Sequence, residues 1–351
     1  MTNFADQDYC IGRGLGVLTA KLEAADNIFL LHAIEQNVGF LHRRSQGSTF
    51  LAIGSKELSA LPVPALPLEL QRRIAEILSA VDEAIEQTEA LIAKYQQIKA
   101  GLMQDLFTRG VTPDGHLRPT HTQAPNLYKE SSLGWIPKEW KVIAVGKLAE
   151  SVVDGPFGSN LKTEHYVVEP GVRVVRLQNV QDGQYNDLDR VFIAESHARY
   201  LVRNQVNPGD VLIAGLGEDR NVVGRACCYP EGLPAAINKA DCFRLRCISV
   251  LALNRFVMYF LNTAAARYQV RRFEQGVTRH RINTGNLKRV CVALPSMDEQ
   301  ALIVAILDNA VRNIETTTEC QAKLRQQKQG LMQDLLTGRV RVKVGEAEGK
   351  R

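Results

Sequence analysis

A chain of 351 residues with 45% apolar content can build two ordinary domains with packed cores. No run approaches the roughly 18–20 uninterrupted apolar residues of a membrane helix, and the start "MTNFADQDYC" has neither the basic nor the apolar stretch of a secretion signal. The net charge of +5 selects no partner by itself. Seven cysteines (Cys10, Cys227, Cys228, Cys242, Cys247, Cys291, Cys320) form no CxxC pair, which argues against a zinc ribbon or a disulfide framework and fits small buried residues in a reducing cytoplasm.

In chain order, residues 1–65 read as a globular segment with a tight glycine turn in "GRGLG" (12–16). An "LP" exit and Pro67 then lead into a long helix over 66–108. Its residues Ile74, Leu78, Ile85, Ile92, Leu102 and Leu106 follow alternate spacings of four and three, the seam of a coiled coil. Residues 109–133, rich in Pro, Thr, Gly and Ser, predict a linker. Over 134–295, strand-like runs at "VRVVRLQNV" (172–180), "DVLIAGLG" (210–217) and "AINKADCFRLRC" (236–247) alternate with helical stretches near 196–204 and 253–273. That mixture predicts an α+β domain. A second seam, Ile303, Leu307, Ile314, Leu324, Leu331 and Leu335, predicts a helix over 296–340, followed by a basic and polar tail at 341–351.

The two helices are copies. "GLMQDL" stands at 101–106 and again at 330–335, and a shift of 229 residues gives 19 identities over the 41 positions from Gln71 to Val111. The repeat reaches upstream through Gln46/Gln275, Gly47/Gly276, Thr49/Thr278, Ile53/Ile282 and Leu58/Leu287. The unit is therefore a globular part, an extended exit and a long helix. At about 1.5 Å per residue the stretch Gln71–Leu106 makes a rod on the order of 50 Å. Each rod either pairs with the other copy or packs on its own domain; the narrow, long seam favours the pair. Thr and Lys interrupt both seams at equivalent points, as register-fixing residues do.

Charge is uneven. Between Arg244 and Arg289 ten basic residues face one acidic residue, Glu274, a local balance of +9. Such a stretch is either a polyanion-binding surface or a set of solvated basic faces.

The order of these features resembles the specificity subunit of type I restriction–modification enzymes. The resemblance rests on the duplicated helix ending in "GLMQDLxTxxV" and on five stretches of the second domain. These are "LGWIPKEWKVIAVGKLAE" (133–150), "DGPFGSNLK" (154–162), "VRVVRLQNVQDG" (172–183), "NPGDVLIAGLGEDRNVVGRA" (207–226) and "INTGNLKRVCVALPSMDEQ" (282–300). It implies an α+β fold in which target-recognition domains are joined by two helices in an antiparallel coiled coil. It also implies a non-catalytic subunit that reads part of a bipartite double-stranded DNA target in the cytoplasm and positions methyltransferase and ATP-dependent restriction subunits. S-adenosylmethionine, ATP and magnesium would then reside on those partners. Against the family pattern, residues 1–65 match the later part of a first recognition domain. A start further upstream, a companion chain or a truncated, non-functional subunit that still binds the methyltransferase would each account for that.

Base edges call for Arg on guanine and for Asn or Gln on adenine, with further cations on phosphates. The candidates are Asn160, Lys162, Arg176, Gln178, Asn179, Arg220, Asn221, Arg225, Arg279, His280 and Arg281, all in loops of the second domain. Other chemistry finds little support. "GLGEDRNVVG" (215–224) lacks the full dinucleotide fingerprint, and no GxxxxGK[ST] or methyltransferase Pro-Pro-aromatic tetrapeptide occurs. The seven histidines lie singly, so no metal site is expected. A nuclease acting alone would need an acidic metal cluster or a nucleophile–base pair, and the sequence suggests neither.

Overall fold

The computed structural model describes residues 2–5, 7–12, 14–21, 23–45 and 52–342. Arg13, the repeat positions Gln46, Gly47 and Thr49, and the tail beyond 342 lie outside the described residues. The chain divides into two compact units, Met1–Gln96 with Arg312–Arg351, and Gln97–Val311. Two long helices, Leu68–Thr108 and Met297–Leu336, each contribute their longer part to the first unit and the remainder to the second.

In the first unit the start of the first long helix meets the end of the second. Ile74, Ala75 and Leu78 are buried with Met332, Leu335, Leu336 and Phe29. Val81, Ile85, Thr88, Ile92 and Tyr95 are half-buried, as are Ile314, Thr317, Gln321, Leu324 and Leu331, while intervening Glu83, Glu86, Glu319 and Lys323 are exposed. The helices thus pair with each other in antiparallel sense, and the covered residues are those of the seam. Thr88 and Thr317 satisfy their hydroxyls on the carbonyls of Ala84 and Asn313, one turn back. Lys328 does more. Its Nζ lies 2.8 Å from Asp82 on the other helix and 3.0 Å from Glu35 in the globular part. The His32 imidazole 3.6 Å away and this ammonium together hold the Glu35 carboxyl down to about 2.

In the second unit the end of the first long helix meets the start of the second, with Leu106 buried in the same core as Ile303 and Leu307. That core also contains Trp140, Phe243, Phe256 and Phe260. A four-stranded antiparallel sheet runs in the order Ala226–Cys228, Val211–Ala214, Cys242–Cys247, Ala149–Val153. Val211–Ala214 is apolar throughout because it lies inside the sheet and is covered on both faces. The helices Asn254–Leu261 and Ala264–Arg271 supply much of the core beside it. A second sheet runs Tyr166–Val167, Phe192–Ile193, Val172–Val175, Ala236–Asn238, Gln205–Val206, with the third and fourth of these strands parallel.

Two expectations change here. Residues 109–133, read as a linker, are folded: Val111 bridges Leu117, and Tyr128–Ser131 pairs with Gly134–Pro137. The anchor is Glu299, a buried carboxylate that accepts from Val111 N (2.9 Å), Trp140 Nε1 (3.1 Å) and both terminal nitrogens of Arg118. No local pattern reveals an anchor so distant in sequence. Cys10 and Cys320 are exposed rather than buried, whereas Cys227, Cys242 and Cys247 are enclosed.

The duplication extends further upstream than the 229-residue shift detects. Gln71 Nε2 donates to the carbonyls of Ala24 and Leu66, and its Oε1 accepts from Asp26 N. Gln300 makes the same three bonds to Leu251, Pro295 and Leu253. Asn27 accepts from Ala20 N, as Asn254 does from Cys247 N. Leu66 and Pro295 keep the 229-residue shift, but Ala20, Ala24, Asp26 and Asn27 are related to their counterparts by 227 residues, so an ungapped comparison misses them.

Candidate nucleic-acid interface

The candidate residues lie at the loop end of the second unit's sheets. Beyond Val211–Ala214 the chain continues into Leu216–Gly217, which pairs antiparallel with His280–Arg281. This pairing places the turn 218–222 beside the loop 276–279. That second loop is closed at its base by reciprocal bonds between Gln275 and Arg281 (3.0 and 2.9 Å).

Two aspartates tie in further loops. Asp241, whose φ is +66°, accepts Gly215 N on its carbonyl (2.7 Å) and pairs through Oδ2 with Arg281 Nη2 (2.8 Å). Asp154 Oδ1 accepts from Gly155 N (2.7 Å) and Asp241 N (3.0 Å). Gly155 lies so close to the Lys239 backbone that a Cβ there would stand 1.9 Å from a carbonyl carbon. The loops at 154–160, 215–222, 239–241 and 275–281 therefore meet around Asp154, Asp241 and Arg281. Burial pushes the Asp154 carboxyl up to about 6; the nearby Asp241 carboxylate adds to the rise, and its two backbone donors and Arg281 oppose it.

An acid whose folded pKa is raised above 3.8 binds its proton more readily when folded, so its contribution to stability is greatest below that value and declines as pH rises toward 6. Asp154→Asn keeps an acceptor for both N–H groups and removes the charge. Thermal denaturation across pH 4 to 7 is expected to show that this decline is absent from the variant.

The candidates divide by environment. Arg220 and Arg279 are exposed and, among the described residues, form no ion pair. Gln178 and Asn160 are exposed, Asn221 is exposed at a loose 3.5 Å from Glu218, and Lys162 is exposed 3.4 Å from Glu164. His280 is half-buried, 3.4 Å from Glu274, and Arg281 is held by Asp241. Arg176 is half-buried and paired with Asp189. Asn179 and Arg225 differ from what the sequence suggests. Both are buried: the Asn179 amide donates to the carbonyls of Asn186 and Asp189, and the Arg225 guanidinium is spent on loop carbonyls. They brace the loops from within and present no polar group for a base edge.

The +9 stretch is also weaker than its sequence. Arg246, Arg255, Arg267 and Arg281 pair with Asp210, Asp308, Asp182 and Asp241, and all four acids lie outside the stretch. Arg244 is buried against Ser151. Five cations remain without a carboxylate partner among the described residues: Arg271, Arg272, Arg279, Lys288 and Arg289. The roles of Asp154, Asp241 and Glu299 escape the sequence, although the Asp-Gly pair at 154–155 is a turn signal.

These features define a duplicated domain-and-helix protein whose second unit gathers polar loops at one end. A family model described as "Type I restriction modification DNA specificity domain" matches residues 2–97 and 137–326, and the chain belongs to that family. Over 329 residues it is 26% identical to the type I restriction enzyme MjaVIII specificity subunit of Methanocaldococcus jannaschii, covering 93% of this chain and 73% of that one. Its fold is similar to the crystal structure of the type I restriction–modification S subunit from M. genitalium, with a TM-score of 0.56 at 16% identity, over 90% of this chain and 74% of the other. A chain from a structure of complex assembly and conformational transition in a type I R–M system gives a TM-score of 0.52 at 19% identity, over 90% and 72%. Among the described residues no helix is long and apolar enough to cross a membrane.

Proposed function

We propose that this chain is the DNA-specificity subunit of a type I restriction–modification complex. Its second unit reads one part of a bipartite duplex target, and its long helices dock the methyltransferase and restriction subunits. The chain performs no chemistry itself; S-adenosylmethionine, ATP and magnesium act on the partners, in the cytoplasm. The observation that supports this reading is the loop cluster around Asp154, Asp241 and Arg281. It collects Asn160, Arg220, Asn221 and Arg279 from three separate parts of the sequence and leaves their side chains exposed. Arg, Asn and Gln at loop ends are the groups that match base edges, and the free cations nearby suit phosphates.

The test is an exchange of residues 134–295 for the equivalent segment of another family member, with the methyltransferase co-purified. The methylated sequence is expected to change to that of the donor on one side of the target. An unchanged methylation pattern removes the proposal. Without the partner, the chain is expected to bind duplex DNA weakly and to lose affinity steeply as salt rises.

A further inference from the structure

Arg225 stands where the turn of the central hairpin re-enters the sheet, and its side chain is 6% exposed. Its Nε donates to the Val180 carbonyl (2.7 Å) and Nη2 to that of Leu177 (3.0 Å). Its Nη1 donates to Asn221 (2.9 Å) and Val222 (3.1 Å). No carboxylate among the described residues pairs with it. One planar fork of donors thus grips the backbones of two loops, 177–180 and 221–222, that are more than forty residues apart in sequence. A lysine could carry the charge but could not span four carbonyls.

The hairpin does not need this clasp to hold together. Val211–Ala214 and Ala226–Cys228 already pair along their lengths. What Arg225 fixes is the relation between the loops: one exposes Gln178 and the other Arg220 and Asn221. Asn179 supports the first loop from its other side, through Asn186 and Asp189.

We propose that Arg225 is a positioning residue for DNA reading. It sets the spacing of Gln178 against Arg220 and Asn221, so that the two loops address neighbouring base pairs as one rigid reader, and it does not touch DNA itself. This role rests on the DNA-reading function proposed above.

The experiment uses the full chain co-purified with its methyltransferase. The probes are a duplex carrying the sequence that the wild-type complex methylates, its single-base-pair variants, and a random duplex. Arg225→Lys is expected to reduce discrimination tenfold or more at two or more adjacent base pairs. Affinity for the random duplex and its salt dependence should remain as in wild type. Full discrimination by the variant overturns the proposal. So does an equal loss on specific and random duplexes with a shallower salt slope, which would make Arg225 a phosphate contact. Hydrogen exchange on the wild-type complex makes the test independent of the variant's folding. Amides at 177–180 and 220–222 should gain protection together on the specific duplex, and protection of one loop alone overturns the clasp. A wild-type complex that methylates without sequence discrimination overturns the DNA-reading function itself, a result distinct from these.

Discussion

Glu299→Ala is expected to destabilise the second unit by about 3–5 kcal/mol, the cost of breaking a buried charge pair from one side. The carboxylate is the common acceptor for Arg118, Trp140 Nε1 and Val111 N, and its removal leaves a nearly enclosed guanidinium and two N–H groups unpaired. Both tryptophans of the chain, Trp135 and Trp140, lie in this unit. Denaturant titration followed by tryptophan fluorescence therefore isolates the effect. Glu299→Gln retains an acceptor but loses the charge, and should fall between the variant and wild type. A Glu299→Ala midpoint equal to that of wild type would mean that the segment 109–133 is held by its strand pairing rather than by this carboxylate.

Gly155→Ala is expected to act on both stability and sequence discrimination. The new methyl would stand 1.9 Å from the Lys239 carbonyl carbon, 2.1 Å from its oxygen and 2.4 Å from Ala240 N. All three are backbone atoms and cannot rotate aside, so the turn must lift away from 239–241. Overpacking of this kind costs roughly 1–3 kcal/mol, and the backbone nature of the clash places this case at the upper end. Because Asp154 Oδ1 bonds Asp241 N, lifting the turn also loosens the seat of Arg281. The methyltransferase complex should lose discrimination among single-base-pair variants of its target while still assembling. Gly232→Ala, with open space at its Cβ position, should match wild type in both measurements.

The long helices were legible in the sequence because a seam repeating every seven residues is a local signal sustained over five heptads. Ile74, Leu78, Leu106, Ile303, Leu307 and Leu335 are all buried where that periodicity places them. The α+β character of residues 134–295 was legible for a similar reason: Val211–Ala214 is an apolar run of strand length, and Cys242–Cys247 alternates Phe243, Leu245 and Cys247 with Arg244 and Arg246. The candidate interface was legible only in part. Loops rich in Arg and Asn can be recognised as loops, but whether a side chain faces solvent depends on neighbours distant in the chain. Arg225 and Asn179 have the composition of DNA readers and the surroundings of internal braces. The basic stretch misleads for the same reason, since the acids that neutralise four of its arginines come from elsewhere in the sequence. Glu299 is the extreme case, with partners between 159 and 188 residues away.

The glutamine at the head of each long helix fastens its globular part through main-chain groups alone. Gln71 and Gln300 each bond two carbonyls and one amide of the main chain, groups that almost any residue provides. A globular part can therefore change its surface residues and keep these three bonds. Where recombination exchanges one globular part for another, this main-chain fastening accepts whatever residues arrive, while side-chain contacts such as those of Arg118 and Trp140 with Glu299 must be supplied by the incoming part.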